Sequence, residues 1–212
     1  MFDPFATLNE VQRAQVQHYE ALLLDVNQRI NLISRQTDPA TVFERHMLHC
    51  LTLTQRRFPD GATVVDYGTG GGLPGLLLAI AFPNVSFHLI DSVGKKIRAV
   101  SEMAQELGLE NVEAHHVRAE QWDGTAHFAV SRATAPLRDL WSWFRRVAKP
   151  FEVPQGCWPA GLTCLKGGDL TEEIQLLQKR FPRTRVDVVT DLFTLLERDY
   201  FQEKVILTVQ MT

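Results

Sequence analysis

Apolar side chains recur at helical spacing along the first sixty residues. Between residues 8 and 32 they return every three or four positions, which is the stripe of an amphipathic helix: Leu8, Val11, Tyr19, Leu22, Leu23, Val26 and Ile30. Asp38 followed by Pro39 is typical of a helix N-terminus and predicts a second helix that runs to about Arg56. The pattern therefore predicts an N-terminal helical extension over residues 1–60.

After Gly61 short apolar runs alternate with helical stretches. This alternation is typical of a parallel sheet with crossover helices. Strands are predicted at 62–66, 85–90, 112–117, 126–131, 161–166, 185–190 and 204–210, and helices at 74–82, 93–107, 136–148 and 169–180. The predicted fold class is α/β, a Rossmann-like sheet of about seven, mostly parallel strands over residues 61–212, in one compact unit.

Local signals mark the ends of the helix predicted at 93–107. Ser92 is a suitable N-cap, and Gly108 is a suitable C′ residue. The segment 149–160 contains three prolines and a glycine, so we expect a long irregular connection there.

Composition excludes several classes of protein. The chain has 212 residues and three cysteines, an odd number without a C-x-x-C pair, which argues against a disulfide framework or a zinc ribbon. The N-terminus lacks the pattern of a secretory signal, and the longest nearly apolar run, 73–82, is too short to span a bilayer. We therefore expect a cytoplasmic protein without membrane contact.

Histidine and tryptophan pairs offer little chemistry by themselves. His46 and His49 could share a helix face, but no Cys or carboxylate cluster nearby completes a metal site. His115 and His116 would point to opposite faces of a strand. We expect no bound metal, and we expect Trp141 and Trp143 to pack in the core.

A glycine-rich turn follows the first predicted strand. Glycines at 68, 70, 71 and 72 allow a tight turn with positive φ and a close approach by a ligand. Counted from Gly68, Leu73 stands where a dinucleotide fingerprint needs its third glycine, whereas a count from Gly70 satisfies that fingerprint, so a nicotinamide site stays open. Asp66, two residues before the G-x-G-x-G string, is typical of the first motif of S-adenosylmethionine-binding domains.

Polar residues follow the next strands at the same edge of the sheet. Asp91 ends the second strand, where a carboxylate can accept hydrogen bonds from both hydroxyls of a ribose; the alternative is that it only caps the next helix. Glu120 follows the third strand and could border an adenine ring. Arg132 ends the fourth, where it could bind a carboxylate or phosphate, or form an ordinary surface ion pair.

The residues after the fourth strand exclude two reaction types. Methyltransferases that act on exocyclic amines carry an Asn/Asp-Pro-Pro-aromatic box there, whereas this chain has Ser131-Arg132-Ala133-Thr134. Cytosine-C5 enzymes need a Pro-Cys nucleophile, and no cysteine of this chain follows a proline. No catalytic base is assigned, and Arg132 is a positioning candidate.

Basic side chains offer a possible RNA-facing patch. The net charge of −3 and a pI near 6.2 count against a broad basic face but not against a local one. The candidates are Lys95, Lys96, Arg98, Arg138, Arg145, Arg146 and Lys166, and the alternative is that they are solvated helix charges.

Several strings together resemble the RsmG family, also called GidB, of bacterial methyltransferases, over most of the chain. The strings are Asn27-Gln28-Arg29-Ile30-Asn31-Leu32, Arg45-His46, the run from Asp66 through the glycines to Leu73-Pro74-Gly75, Leu89-Ile90-Asp91-Ser92-Val93-Gly94-Lys95-Lys96, Ser131-Arg132-Ala133 and Leu165-Lys166-Gly167. The chain departs from the family's usual residues at Val26, His49 and Cys50, which leaves the role of these N-terminal positions open.

The resemblance implies transfer of a methyl group from S-adenosyl-L-methionine to N7 of guanine 527, in the 530 loop of 16S ribosomal RNA. It implies cofactor contacts at Gly68, Leu73, Ala119, Glu120 and Arg132, with Asp91 at the ribose. The glycine-turn motif adds Asp66, Gly70 and Gly72 to the predicted cofactor site. The implied partner is 16S ribosomal RNA or the small ribosomal subunit, and we expect the protein to be a monomer. Two alternatives remain: a small-molecule methyltransferase, and a non-enzymatic RNA- or cofactor-binding module.

Overall fold

The computed structural model describes residues 2–34, 37–132 and 134–212. A seven-stranded sheet forms its centre, in the order β3-β2-β1-β4-β5-β7-β6. The strands are β1 Thr63–Tyr67, β2 Ser86–Asp91, β3 Val112–His116, β4 Phe128–Arg132, β5 Gly161–Gly167, β6 Thr184–Asp191 and β7 Lys204–Met211. Pairs among β1 to β5 are parallel, and β7 lies antiparallel between β5 and β6, which confirms the predicted α/β sheet.

Helices cover the sheet. They are α1 Glu10–Arg29, α2 His49–Leu51, α3 Gly75–Ala81, α4 Gly94–Glu106, α5 Leu137–Val147, α6 Thr171–Arg180 and α7 Leu192–Leu196. Short 3-10 turns lie at Pro4–Thr7, Pro39–Thr41, Thr52–Gln55, Ala119–Gln121 and Asp199–Phe201. The sequence pattern predicted neither α7 nor these turns as separate elements, since each is too short to show a periodic apolar stripe.

The second predicted helix is helical along most of its length but changes type. The Asp38 carboxylate accepts the amide of Ala40 at 3.0 Å, which confirms the predicted cap. The chain then passes from a 3-10 turn into a π-helical segment, Phe43–Leu48, before α2. Such wide turns often accompany functional sites, and this one carries His46.

Of the two residues predicted to end α4, the structure confirms Gly108 but not Ser92. Ser92 is not the N-cap: the cap residue is Val93, without a side-chain bond, and the Asp91 carboxylate accepts the Val93 amide at 2.9 Å. Gly108 adopts φ of 67°, and its amide donates to the Gln105 carbonyl at 3.0 Å, as expected of a C′ glycine.

The core lies on both faces of the sheet because successive strand residues point to opposite sides. On one face Val64 shares a hydrophobic cluster with Tyr19 and Leu23 of α1. On the other face Val65 and Tyr67 pack with α5. The buried Tyr19 hydroxyl donates to the Gly71 carbonyl at 2.8 Å, so α1 is bonded directly to the glycine turn.

Within the described ranges, no helix is both long enough and apolar enough to cross a membrane.

Candidate functional site

A cleft of about 700 Å³ opens at the carboxyl edge of the sheet, where β1 lies between β2 and β4. From β1 the chain continues to β2 and β3 on one side and then crosses back to β4 on the other side, so the strand order reverses at β1. Ligands of open α/β sheets bind at such a switch point. Of the predicted cofactor residues the cleft is lined by Gly68, Gly70, Leu73, Asp91, Ala119, Glu120 and Arg132. The fold therefore brings together residues that the chain separates by more than sixty positions.

The glycine turn has the backbone that its sequence predicts. Gly68, Gly70 and Gly72 adopt φ of 69°, 60° and 98°, which a residue with a side chain rarely adopts. The amides of Gly68 and Thr69 donate to the Ile90 carbonyl at 2.8 and 3.0 Å and so attach the turn to the end of β2. A Cβ atom at Gly68 would collide with the Thr134 side chain, whereas one at Gly70 would meet nothing closer than 3.8 Å. Gly70 thus leaves its side of the cleft open.

Asp91 holds this turn and faces the cleft at the same time. Its Oδ2 accepts the Gly70 amide at 3.1 Å, and its Oδ1 accepts the Val93 amide at 2.9 Å. One oxygen thus bonds the amide of Val93, the residue before α4, but this bond does not use the full acceptor capacity of the carboxylate. Each carboxylate oxygen can accept a second hydrogen bond, so the side chain can still receive two ribose hydroxyls.

Asp66 and Gly72 do not line the cleft. Asp66 is fully buried, and its Oδ2 accepts the Gly75 amide at 2.9 Å. A Cβ at Gly72 would collide with the Leu76 side chain. Both residues support the glycine turn from the side that faces away from the cleft, which is the physical reason for their place in the motif.

Burial raises the pKa of Asp66 to about 7, although the Gly75 amide and the Arg132 charge lower it. In the unfolded chain the group ionises near its ordinary value of about 4. Between these two pH values the folded state holds the extra proton, so the free energy of unfolding falls as pH rises, by up to roughly 4 kcal/mol. Above the pKa of the folded state Asp66 is ionised in both states, and the folded protein then carries the full destabilisation from the buried charge.

We expect Asp66→Asn to remove this pH dependence. The unfolding free energy of each protein is measured by urea denaturation at pH 5 and at pH 8. As pH rises, the wild type should lose stability relative to the variant. Asp169→Asn is the control: hydrogen bonds from Thr171 lower the pKa of this exposed carboxyl, so it is ionised in both states above pH 5 and the corresponding difference should stay constant. An Asp66→Asn difference that is equally constant would contradict the raised pKa.

Arg132 pairs with a histidine from the N-terminal region. Its Nη1 lies 3.0 Å from His46 Nδ1, and its buried Nε has no hydrogen-bond partner among the described residues. Burial and the charges of Arg132 and Arg45 lower the pKa of His46 to about 4. Because a guanidinium can only donate, the neutral His46 accepts at Nδ1 and carries its proton on Nε2. His46 is thus a positioning partner of Arg132.

Other residues of the cleft were missing from the sequence prediction. Asn27 Oδ1 accepts the amides of Leu32 and Ile33 at 2.9 and 3.0 Å, and it thereby holds these two apolar residues against the cleft. Trp143, predicted as core, is half-buried and lines the cleft, with its ring 5.9 Å from that of Tyr67. Trp141 is buried as predicted. The family-like run from Asn27 to Leu32 was the one sequence signal for the side of the cleft that Leu32 and Ile33 line.

The predicted basic residues fall into two groups. On α4, Lys95 and Arg98 are exposed and Lys96 lines the cleft. The other four have partners within the protein. Lys166 pairs with Glu173 at 2.7 Å, Arg138 with Asp139 at 3.2 Å, Arg145 stacks over the Phe181 ring at 4.9 Å, and Arg146 donates to the carbonyls of Glu120 and Trp122. Ala133, in the strand-four string, lies outside the described residues.

Comparisons with known proteins identify the family. The family described as "GidB: rRNA small subunit methyltransferase G" matches residues 12–193. The "Ribosomal RNA small subunit methyltransferase G" of Salinibacter ruber is 51% identical over 99% of this chain and 97% of its own length. The protein of the same name from Bacteroides thetaiotaomicron is 40% identical, with coverage of 98% and 97%.

Solved structures agree on the fold. A SAM-dependent methyltransferase from Aquifex aeolicus superposes with a TM-score of 0.57 at 19% identity and covers 100% of this chain and 99% of its own. A ribosomal protein L11 methylase from Lactobacillus delbrueckii gives 0.57 at 15% identity, with coverage of 83% and 80%. These likenesses concern the methyltransferase sheet alone. With the family match and the full-length relatives, the chain belongs to the rRNA small subunit methyltransferase G family.

Proposed function

We propose that the chain transfers a methyl group from S-adenosyl-L-methionine to N7 of a guanine, guanine 527, in the 530 loop of 16S ribosomal RNA. Family membership supports the methyltransferase activity and the ribosomal substrate. The observation that carries the proposal is the cleft itself, in which the glycine turn, Asp91 and Arg132 meet at the switch point of the sheet. We further propose that the protein acts as a monomer in the cytoplasm.

The residues of the cleft suit the proposed cofactor. Asp91 would hold the ribose hydroxyls, since its oxygens keep acceptor capacity beside the Gly70 and Val93 amides. Gly70 leaves room for the backbone to approach a ligand. Ala119 and Glu120 would border the adenine, and Arg132 would lie toward the reacting end. When bound, S-adenosylmethionine supplies an electrophilic methyl group on its sulfonium.

The protein's own task is then mainly alignment. Guanine N7 has a free lone pair and no proton to lose, so the reaction needs no general base. Consistently, the neutral His46 has its acceptor nitrogen engaged by Arg132, which leaves it without a free basic atom. Holding donor and acceptor in line contributes to the rate by itself. A guanidinium carries a positive charge and only donates hydrogen bonds, so the role of Arg132 is positional or electrostatic.

For the RNA surface we propose the α4 group: Lys95, Lys96 and Arg98. These side chains start at the first turn of the helix that follows Asp91, so phosphate contacts there lie next to the proposed cofactor site. Arg138, Arg145, Arg146 and Lys166 would have to give up partners within the protein before they contact phosphate. We propose that they stabilise the fold around the cleft first.

The test is methyl transfer from labelled cofactor to small ribosomal subunits, to naked 16S RNA and to a metabolite extract. We expect label in the RNA, recovered as 7-methylguanine after nucleoside digestion. Subunits from cells that lack the modification are the substrate, and subunits already methylated are the matched control, which should take up no label. Label only in small molecules would favour the alternative metabolite enzyme. Cofactor binding without any transfer would favour a binding module.

A further inference from the structure

A second cluster of chemically active side chains lies on the edge of the sheet, outside the cleft. His88 is on β2, and Glu113 and His115 are two residues apart on β3. Residues two apart on a strand share a face, and His88 is paired in register with Glu113. The three side chains therefore meet on one side of the sheet. None of them lines the proposed cofactor site.

Their three ligand atoms form a compact triangle. His88 Nδ1 lies 2.9 Å from His115 Nε2, and Glu113 Oε2 lies 3.6 Å from the first and 3.8 Å from the second. A point equidistant from all three atoms lies about 2.0 Å from each, which falls in the range of about 2.0–2.2 Å for bonds from Zn²⁺ to imidazole nitrogen and carboxylate oxygen. That point lies in the plane of the three atoms, and the two histidine nitrogens are hydrogen-bonded to each other. An ion would replace the shared proton, and the side chains would rotate to place it above this plane, as a tetrahedral site with a fourth ligand requires.

We propose that His88, Glu113 and His115 bind a divalent transition metal, with Zn²⁺ as the fitting ion. Two imidazoles and one carboxylate are a common ligand set for this metal, with a fourth position left for water. A groove of about 670 Å³ opens at the cluster, and the Glu113 side chain is 70% exposed, so an ion and a water molecule have access. The Trp122 ring, 5.4 Å from that of His88, forms an apolar wall beside the ligands.

The tertiary pairing explains why the sequence suggested no metal. The neighbouring histidines His115 and His116 do point apart, as expected, and His116 Nε2 lies 3.1 Å from the Ser92 carbonyl. The fold instead places His115 beside His88 of β2 and beside Glu113, two residues earlier on β3. A bound ion would link the edge strand β3 to β2, so binding should also stabilise the folded state.

Calorimetric titration of ZnCl₂ into untagged, chelator-treated protein tests the site. We expect one equivalent to bind and the melting temperature to rise. Glu113→Gln, which changes an exposed side chain, and His115→Asn should each weaken binding by at least about tenfold, since losing even an indirect support of a ligand costs about that much. His116→Asn, the adjacent histidine on the other face of β3, is the matched control and should bind as wild type.

Substitution with Co²⁺ gives an independent readout. Wild type and His116→Asn should develop the intense visible bands of tetrahedral cobalt, and His115→Asn should not. The proposal is overturned if the wild type binds no equivalent of Zn²⁺, or if Glu113→Gln and His115→Asn bind as tightly as the wild type. Neither result bears on methyl transfer, because the ligands lie outside the proposed cofactor cleft.

Discussion

Asp91→Ala should weaken the binding of S-adenosylmethionine by a factor on the order of 100 to 10,000. The carboxylate is proposed to accept two ribose hydroxyls, and a hydrogen bond to a charged group contributes about 1.5–3 kcal/mol. The alanine variant also loses the acceptors that hold the amides of Gly70 and Val93 at 3.1 and 2.9 Å, so the wall of the cleft would loosen as well. Calorimetric titration with the cofactor measures the loss.

Two further variants separate binding from folding. Asp91→Asn keeps one acceptor oxygen without the charge, so its affinity should lie between those of the wild type and Asp91→Ala. Asp60→Ala removes an exposed carboxylate just before β1, at the opposite end of the sheet, and should bind the cofactor as the wild type does. If Asp91→Ala unfolds at the wild-type temperature and still binds the cofactor with undiminished affinity, then Asp91 does not hold the ribose.

Arg132→Lys should slow single-turnover methyl transfer by a factor on the order of 100, because a displacement of about 1 Å at the reacting centre can cost that much. An ammonium cannot reproduce the planar donor set that contacts His46 Nδ1 at 3.0 Å while leaving other N–H groups for a ligand. The measurement uses enzyme saturated with both substrates, so that binding defects do not enter. His46→Asn tests the support: it should impair the reaction less than Arg132→Lys.

The same measurement should give a rate that is nearly flat between about pH 6 and 9. Guanine N7 loses no proton, and the pKa of His46, about 4, lies outside this range. Asp66, with a pKa of about 7, titrates within it, but its Oδ2 is bonded to the Gly75 amide behind the cleft. A step near neutrality that disappears on replacement of one specific His or Glu would reveal the base that this mechanism does without. A step that disappears in Asp66→Asn would instead trace to the support of the turn.

Sequence alone predicted most of the elements that position the proposed site. The strands and main helices follow from local apolar periodicity, and the glycine turn follows from backbone geometry that few other residues adopt. Asp91 and Arg132 could be placed together because parallel strands end at a common edge, whatever the details of packing. These inferences depend on residues near one another in the chain, or on a rule that holds for every sheet of this type.

Tertiary structure decided which side chains meet. The contact between Arg132 and His46 joins residues 86 positions apart through a π-helical turn, and the internal partners of Arg146 and Lys166 come from neighbouring elements. A sequence pattern indicates which face of an element is buried but not which residue of another element it will contact. The cluster of His88, Glu113 and His115 arises in the same way, because apolar alternation indicates the buried face of each strand but still allows the register between β2 and β3 to shift by two residues.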